Sequence, residues 1–522
     1  MQNNCISKKG LCKTASDVFL WLLFLLLPLA VHDTFHNATE TKTAAFYTLA
    51  ALYLLSMLCI QGFGNGESGR RLHKTDLFFV AFVVIGILAS VLSGFGMDSL
   101  GGKDNRRQGI VMFSLYLMLF FLLKQHSSFS RQVRRSAFFA FGVVCLLGIL
   151  NQFKLDSAGY ISALIEPDRV RFTSTIGNIG FYSAYCILLF PTTYAFFLHS
   201  STLREAVPYG VLSLIGVFGA MASHTESAFL GLCAAFAILP LCVRDYGVKR
   251  YFLTMPLLLL SMKLYALAVS FFEGIPLSAL TGTFLSGTPF AVLMCTYLLC
   301  ALLFRNLTDS GGAKFKRIYG IMLAAVLVLS VSVILFINLY PLKSLPPIIA
   351  KYLLITPEWG TDRGYIWFGM TELWKDFSPL EKLIGGGFGC VVRWDRGYRL
   401  FSDAVIDAAH NEYLHYLLTH GILGLSCYLA FIASSVVRCI KSGSIAGRCL
   451  CAGCIAYAVQ ATVNIAQMFS TPLFFVFLFL LPLPHDEESL PEKKSCVLLS
   501  YAAMILLTAA CFGVGMCCTV PA

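Results

Sequence analysis

Asp407-Ala-Ala-His410-Asn411-Glu412-Tyr413-Leu414-His415-Tyr416-Leu417-Leu418-Thr419-His420-Gly421 is where the longest polar stretch of the chain gives way to an apolar run. A cluster of titratable residues sits at this junction. Everything upstream serves to deliver the polar stretch to one side of a membrane. The chemical question is whether His410 is a reactive group or only the start of a helix.

The membrane reading comes from composition. Of 522 residues, 57% are hydrophobic and 13% charged, whereas soluble domains are about a quarter charged. The chain is therefore an all-α polytopic membrane protein without a detached soluble domain. A spanning helix needs about 20 mostly apolar residues. Candidate spans run from 17–35 to 496–518, about fifteen at most and 12–15 as the working range. The weakest is 470–483, which is short and carries Pro472 and Pro482. Val18–Ala30 follows Lys8-Lys9 but lacks a small-residue cleavage site, so it reads as the first transmembrane helix. The expected organisation is an N-terminal bundle over 1–340, an extracytoplasmic loop over 341–411 and a C-terminal bundle over 412–522.

The net charge of +11 is spread over short loops, which argues for topology and against nucleic acid as a partner. With Lys8, Lys9 and Lys13 cytoplasmic, alternate loops carry Arg70-Arg71, Lys124/Arg131/Arg134/Arg135, Arg244/Lys249/Arg250, Lys314/Lys316/Arg317 and Arg438/Lys441/Arg448. The opposite loops at 223–226, 273–283 and 468–470 have no Lys or Arg. This places residues 341–409 outside the cytoplasm. Most of the nineteen cysteines lie in apolar runs and read as core; Cys451-Ala-Gly-Cys454 lacks flanking ligand pairs.

Long loops in a compact architecture are functional or disordered. This one holds Trp359, Trp367, Trp374 and Trp394, so it is read as folded. Thr361-Asp362 precede a helical pattern of Ile366, Met370, Leu373, Trp374 and Phe377, which Ser378-Pro379 ends. Gly385-Gly-Gly-Phe-Gly389 reads as a flexible turn without the setting of a phosphate loop.

Three outer segments break the positive-inside pattern: Lys103-Asp104-Asn-Arg106-Arg107, Arg169-Val-Arg171 and the long loop with Arg363, Arg393, Arg396 and Arg399. Cations kept there against topology point to an anionic ligand. Planar guanidinium forks suit phosphates. His410 beside Asn411, Glu412 and Tyr413 suits proton transfer from a hydroxyl, or else simply opens a helix. His410, His415 and His420 are spaced at five and do not share a helix face as metal ligands would. Lys263 inside an apolar run and Glu226 at the outer end of a span are candidates by location.

The segments Asp362-Arg363-Gly364-Tyr-Ile-Trp367, Gly385–Gly389, Ala409-His410-Asn411-Glu412-Tyr413-Leu414 and His420-Gly421-Ile-Leu-Gly424 resemble the O-antigen ligase/polymerase (Wzy_C) superfamily. Arg106-Arg107-Gln-Gly109 and Arg171-Phe-Thr-Ser-Thr-Ile-Gly177-Asn178 resemble its upstream elements. The resemblance implies a GT-C-like helix bundle in the bacterial cytoplasmic (inner) membrane. It implies a glycosyltransferase of cell-surface polysaccharide biosynthesis, with an undecaprenyl-diphosphate-linked glycan as donor and a glycan, lipid or protein as acceptor. It implies Arg363 and His410 as catalytic residues, with no metal or other cofactor. Arg106, Arg107, Arg169 and Arg171 are then donor-binding candidates, and Asn178, Glu226, Asn411, Glu412 and Tyr413 supporting ones. Thr225-Glu226-Ser227 stands where ligases carry Ser-Arg, which removes one expected diphosphate contact. The rival expectation is a transporter or flippase of polyprenyl-linked glycans, which should show inverted repeats or broken midplane helices.

Overall fold

A computed structural model describes residues 7–32, 38–62, 73–94, 97–102, 106–306, 308–340, 345–398, 406–482 and 494–519. Arg70, Arg71, Lys103, Asp104 and Arg399 lie outside the described residues, as does the side chain of Arg396. Among the described residues the only strands are Phe172–Thr173 and Gly177–Asn178, paired antiparallel; the rest of the architecture is helical.

Among these residues ten helices are long and apolar enough to cross a membrane, and eleven if Ala279–Ser286 and Thr288–Phe304, bent by 62°, form one span. Three further apolar helices are shorter: Ile110–His126, Glu226–Cys242 and Ala502–Val514. They account for most of the difference from the 12–15 expected. A 17-residue helix rises roughly 25 Å, slightly less than a typical hydrocarbon core. The stretch expected as a span at 470–483 is too short to be one. Its helix, Thr471–Phe479, has nine residues, all buried. A helix apolar all round belongs inside protein, and this one packs Phe475 and Phe479 against Phe79, at ring separations of 5.6 and 5.1 Å.

Spans from the two ends of the chain interleave around one continuous core. Ala38–Gly62 lies along Lys494–Thr519, Leu77–Leu92 along Glu412–Lys441, and Ile179–His199 along Ile445–Gln460. Cys186, Cys451, Cys454 and Cys511 are buried free thiols within it. At one end Asp76, buried, accepts from both Lys124 (3.0 Å) and Arg438 (2.8 Å). Two members of the basic clusters are thus spent inside the bundle.

The long loop builds a second, smaller core. Ile366, Met370, Leu373 and Phe377 pack with Cys390, Val391, Ile406, Ala409 and Leu418, and Trp367, Trp374 and Trp394 cover them. The helix Trp359–Asp376 carries the expected spacing, but its entry differs. Gly360, Thr361 and Asp362 all have φ of 62–64°, so regular helix starts at Arg363 and Thr361-Asp362 is a left-handed step rather than a cap. Ser378 ends this helix and caps the next, Pro379–Ile384, in a reciprocal pair with Glu381.

The glycine turn that follows is clamped, not flexible. The helix Glu412–Lys441 breaks at Gly421 (φ 67°, ψ −173°), which strips carbonyls before the break of their helical partners. Gly386 N–H donates to Leu418 O (2.8 Å) and Gly387 N–H to Thr419 O (3.1 Å). Phe388 N–H donates to Ser90 Oγ (2.8 Å), and Ser99 Oγ donates to Phe388 O (2.9 Å). A Cβ on Gly385 would lie 2.2 Å from Thr419 O, and one on Gly421 would lie 2.4 Å from Leu383 backbone atoms. Both glycines also have positive φ. Gly385→Ala and Gly421→Ala should each destabilise the fold by about 2–4 kcal/mol. Thermal unfolding in detergent checks this; an unchanged midpoint would show that the close approach is dispensable.

Candidate functional site

The approach to His410 is pinned from both sides. Ile406 N–H donates to the buried Asp395 carboxylate (2.9 Å), and Trp367 Nε1 donates to Ala409 O (3.0 Å). The helix Trp359–Asp376 therefore grips the backbone immediately before His410. His410 itself has φ 50°, a left-handed value that few non-glycine residues adopt. The three residues after it secure the helix start. Asn411 Oδ1 accepts from the N–H groups of Tyr413 and Leu414, both at 3.0 Å. Glu412, fully buried, accepts from the hydroxyls of Tyr428 and Tyr457. The Tyr413 hydroxyl donates to Ala458 O. Asn411, Glu412 and Tyr413 thus hold the half-buried imidazole at the tip of a fixed helix.

Around it the chain gathers three charges. Arg363, half-buried, donates from Nη1 to Gly360 O (2.7 Å), and among the described residues its buried Nε meets no acceptor. Burial pushes the Arg363 guanidinium below its ordinary pKa. Arg106, itself at φ 48°, makes a two-point pair with Asp407: Nη2–Oδ1 2.9 Å and Nε–Oδ2 2.7 Å. Its guanidinium also lies 5.3 Å from the Phe181 ring centre. Burial first, then the positive fields of Arg106 and Arg363, hold the His410 imidazole down at about 4, with Asp407 opposing them. At neutral pH it is an uncharged base facing two cations.

The other predicted residues are engaged elsewhere. Arg107 is buried, with Nε 3.0 Å from both oxygens of Glu40 and Nη2 2.7 Å from Oε2. Arg169 donates to Leu164 O (3.0 Å), and Arg171 pairs loosely with Asp168 (3.7 Å), both exposed in their own loop. Asn178 caps the helix Ile179–His199 through Gly180 N–H (2.8 Å), which orients Phe181 toward Arg106. Glu226 accepts from Leu280 N–H (3.2 and 3.3 Å) and holds the start of Ala279–Ser286. Lys263 donates to Leu285 O (2.7 Å) at the far end of that short helix, which satisfies an orphan carbonyl. His420 stacks on Phe82 at 4.4 Å inside the core.

Sequence reading gave no site role to Asp407, Glu40 or Phe181, and Trp367 entered only as a loop and motif residue. Glu40 had one usable signal, a lone acid just ahead of an apolar run; Asp407 and Phe181 meet Arg106 only through packing of distant parts of the chain.

Against this geometry stands one comparison with known proteins. Residues 275–429 match the Wzy_C family model, described as O-Antigen ligase. The resemblance noted in the sequence therefore holds over a stretch that contains Arg363, the glycine turn, Asp407 and His410; Arg106, Arg107, Arg169, Arg171, Asn178 and Glu226 lie upstream of it. No curated protein matches the chain.

Asn411→Ala should cost about 1 kcal/mol by freeing two amides of the first turn, while Asn411→Asp should retain the fold. A thermal midpoint that Ala leaves unmoved would remove Asn411 from this role.

Proposed function

We propose that this multi-pass membrane protein is a ligase- or polymerase-type glycosyltransferase that moves a glycan from undecaprenyl diphosphate to an acceptor hydroxyl on the extracytoplasmic face. The observation that carries the reading is a half-buried His410 within the fields of Arg106 and Arg363, in a stretch that matches the O-antigen ligase family. The acceptor is a glycan, a lipid or a protein.

In this reading the donor diphosphate docks on Arg363 and Arg106. Fixed guanidinium groups stabilise charge that develops on the leaving diphosphate as the anomeric C–O bond breaks. The acceptor oxygen forms the new bond to that carbon from the opposite face, which inverts the centre. Its proton passes to His410, which is uncharged at neutral pH and free to accept it. Arg107 keeps to Glu40 and supports the loop. Arg169 and Arg171, exposed nearby in the chain from Asn178, are available to guide the anionic donor toward the site. The membrane tail of the donor explains a site at the mouth of a helix bundle. The cations Lys124, Arg244, Lys316, Arg438 and Arg448 lie at or near helix ends on the other side of the alternation, two of them held by Asp76, which supports an extracytoplasmic His410.

The transporter alternative draws on the helix break at Gly421. There the freed carbonyls are taken by the protein's own glycine turn, not left open to a passing ion or substrate. This favours the enzyme.

Two measurements test the proposal on purified protein with polyprenyl-diphosphate glycan isolated from the producing cells. His410→Ala should lower transfer at least a hundredfold, and full transfer by this variant would refute the base assignment. The pH profile is the second. A depressed pKa leaves the base neutral above it, so kcat/KM should stay level through pH 6 and fall only on approach to about 4. An acid limb near the ordinary histidine value would contradict the site's electrostatics.

A further inference from the structure

We propose that Asp407 serves the two halves of this site in turn, holding Arg106 while the site is empty and turning to His410 once a diphosphate has taken Arg106. The inference rests on the reading of the site as a diphosphate-glycan transferase. It makes Asp407 a positioning residue; the carboxylate takes no proton and forms no covalent bond.

Three observations support the exchange. The Arg106–Asp407 pair is strong in geometry but reachable, with side chains 25% and 30% exposed. By contrast the Arg107 side chain is only 10% exposed in its pair with Glu40. A phosphate can compete for the first guanidinium, since it offers the same two-point acceptor with more charge. Second, Asp407 sits three residues before His410 on a segment fixed at Ile406 and at Ala409. The exchange is then a rotation of the Asp407 side chain on a backbone already held on both sides. Third, the carboxylate already acts on the imidazole, opposing the fields of Arg106 and Arg363. Among the described residues, the charged or titratable groups that act on His410 are Arg106, Arg363, Asp407 and His415, the last from the first turns of its own helix.

Charge balance gives the exchange its purpose. With His410 neutral, two guanidinium groups and one carboxylate leave the empty site with a net positive charge that attracts the donor. A diphosphate diester is a dianion, and its arrival turns the balance negative. The proton released by the acceptor hydroxyl then creates an imidazolium where a cation is favoured, beside a carboxylate no longer committed to Arg106. The anomeric C–O bond to diphosphate breaks with its electron pair on the leaving oxygen, the acceptor oxygen takes its place, and the proton rests on His410. Donor binding thus converts a poor base into a competent one.

Asp407→Asn in the full chain, reconstituted in lipid nanodiscs, tests this. Binding is read with undecaprenyl diphosphate, and transfer with the isolated polyprenyl-diphosphate glycan. The variant should bind undecaprenyl diphosphate about fivefold more tightly, because its competitor for Arg106 is gone. Its kcat should nevertheless fall. In the wild type the acid limb of kcat, which reports the donor complex, should lie at higher pH than that of kcat/KM; in the variant the gap should shrink. Affinity unchanged or weakened, or an unchanged gap, overturns the proposal, since a residue that only braces the loop would move neither in this way. Should Asp407→Asn fail to fold, Arg106→Gln releases the same carboxylate. The acid limb of kcat/KM should then rise toward the ordinary histidine range, and a limb left in place is fatal. Wild-type protein that binds no undecaprenyl diphosphate defeats the functional reading and this inference together. A wild type that binds and transfers beside an indistinguishable Asp407→Asn defeats this inference alone.

Discussion

Two backbone hydrogen bonds tie the long loop into the helix bundle. The amides of Gly386 and Gly387 reach into the break at Gly421 and satisfy the carbonyls of Leu418 and Thr419. A helix interrupted in an apolar bundle would otherwise bury unpaired backbone acceptors, each costing several kcal/mol in the absence of water. The repair comes from the long loop, so the loop is bound to the bundle at the level of the backbone. The same helix begins at Glu412, and its first turns carry the capped junction that presents His410. The position of the imidazole therefore depends on a glycine contact that touches no substrate.

Once the loop is seated, electrostatics divide between two settings. At one end, Asp76, Lys124 and Arg438 meet in full burial, where ion pairs are insulated from water and hold helices in register. Around His410 the pairs are half-exposed and the imidazole is unprotonated. The first arrangement is closed and structural. The second leaves charge in reach of solvent, which is the condition for exchanging one partner for another.

Much of the architecture was legible in the sequence because the signals are local. The helical spacing of Ile366, Met370, Leu373 and Phe377 foretold the helix Trp359–Asp376, and the change of composition at residue 411 located the start of the span Glu412–Lys441. The site was legible only in part. Arg106 and Asp407 lie 301 residues apart, and Arg107 and Glu40 lie 67 apart. Which cation meets which carboxylate depends on how spans pack, and one sequence does not encode that in any short pattern. Left-handed backbone at Thr361, Asp362 and His410 was equally hidden, because such values are imposed by surroundings and not by residue type. The stretch at 470–483 misled for a related reason: hydrophobicity alone does not distinguish a helix facing lipid from one enclosed by other helices.

That enclosed helix has a consequence for how the protein is made. Thr471–Phe479 rises only about 13 Å and cannot cross a bilayer unaided. Released from the insertion machinery by itself, it would leave its ends stranded in hydrocarbon. It becomes stable only when Phe79, Phe120 and Tyr116 from much earlier helices are already gathered to receive it. Assembly of those earlier helices must therefore precede its capture, and this buried helix is among the last parts to be seated.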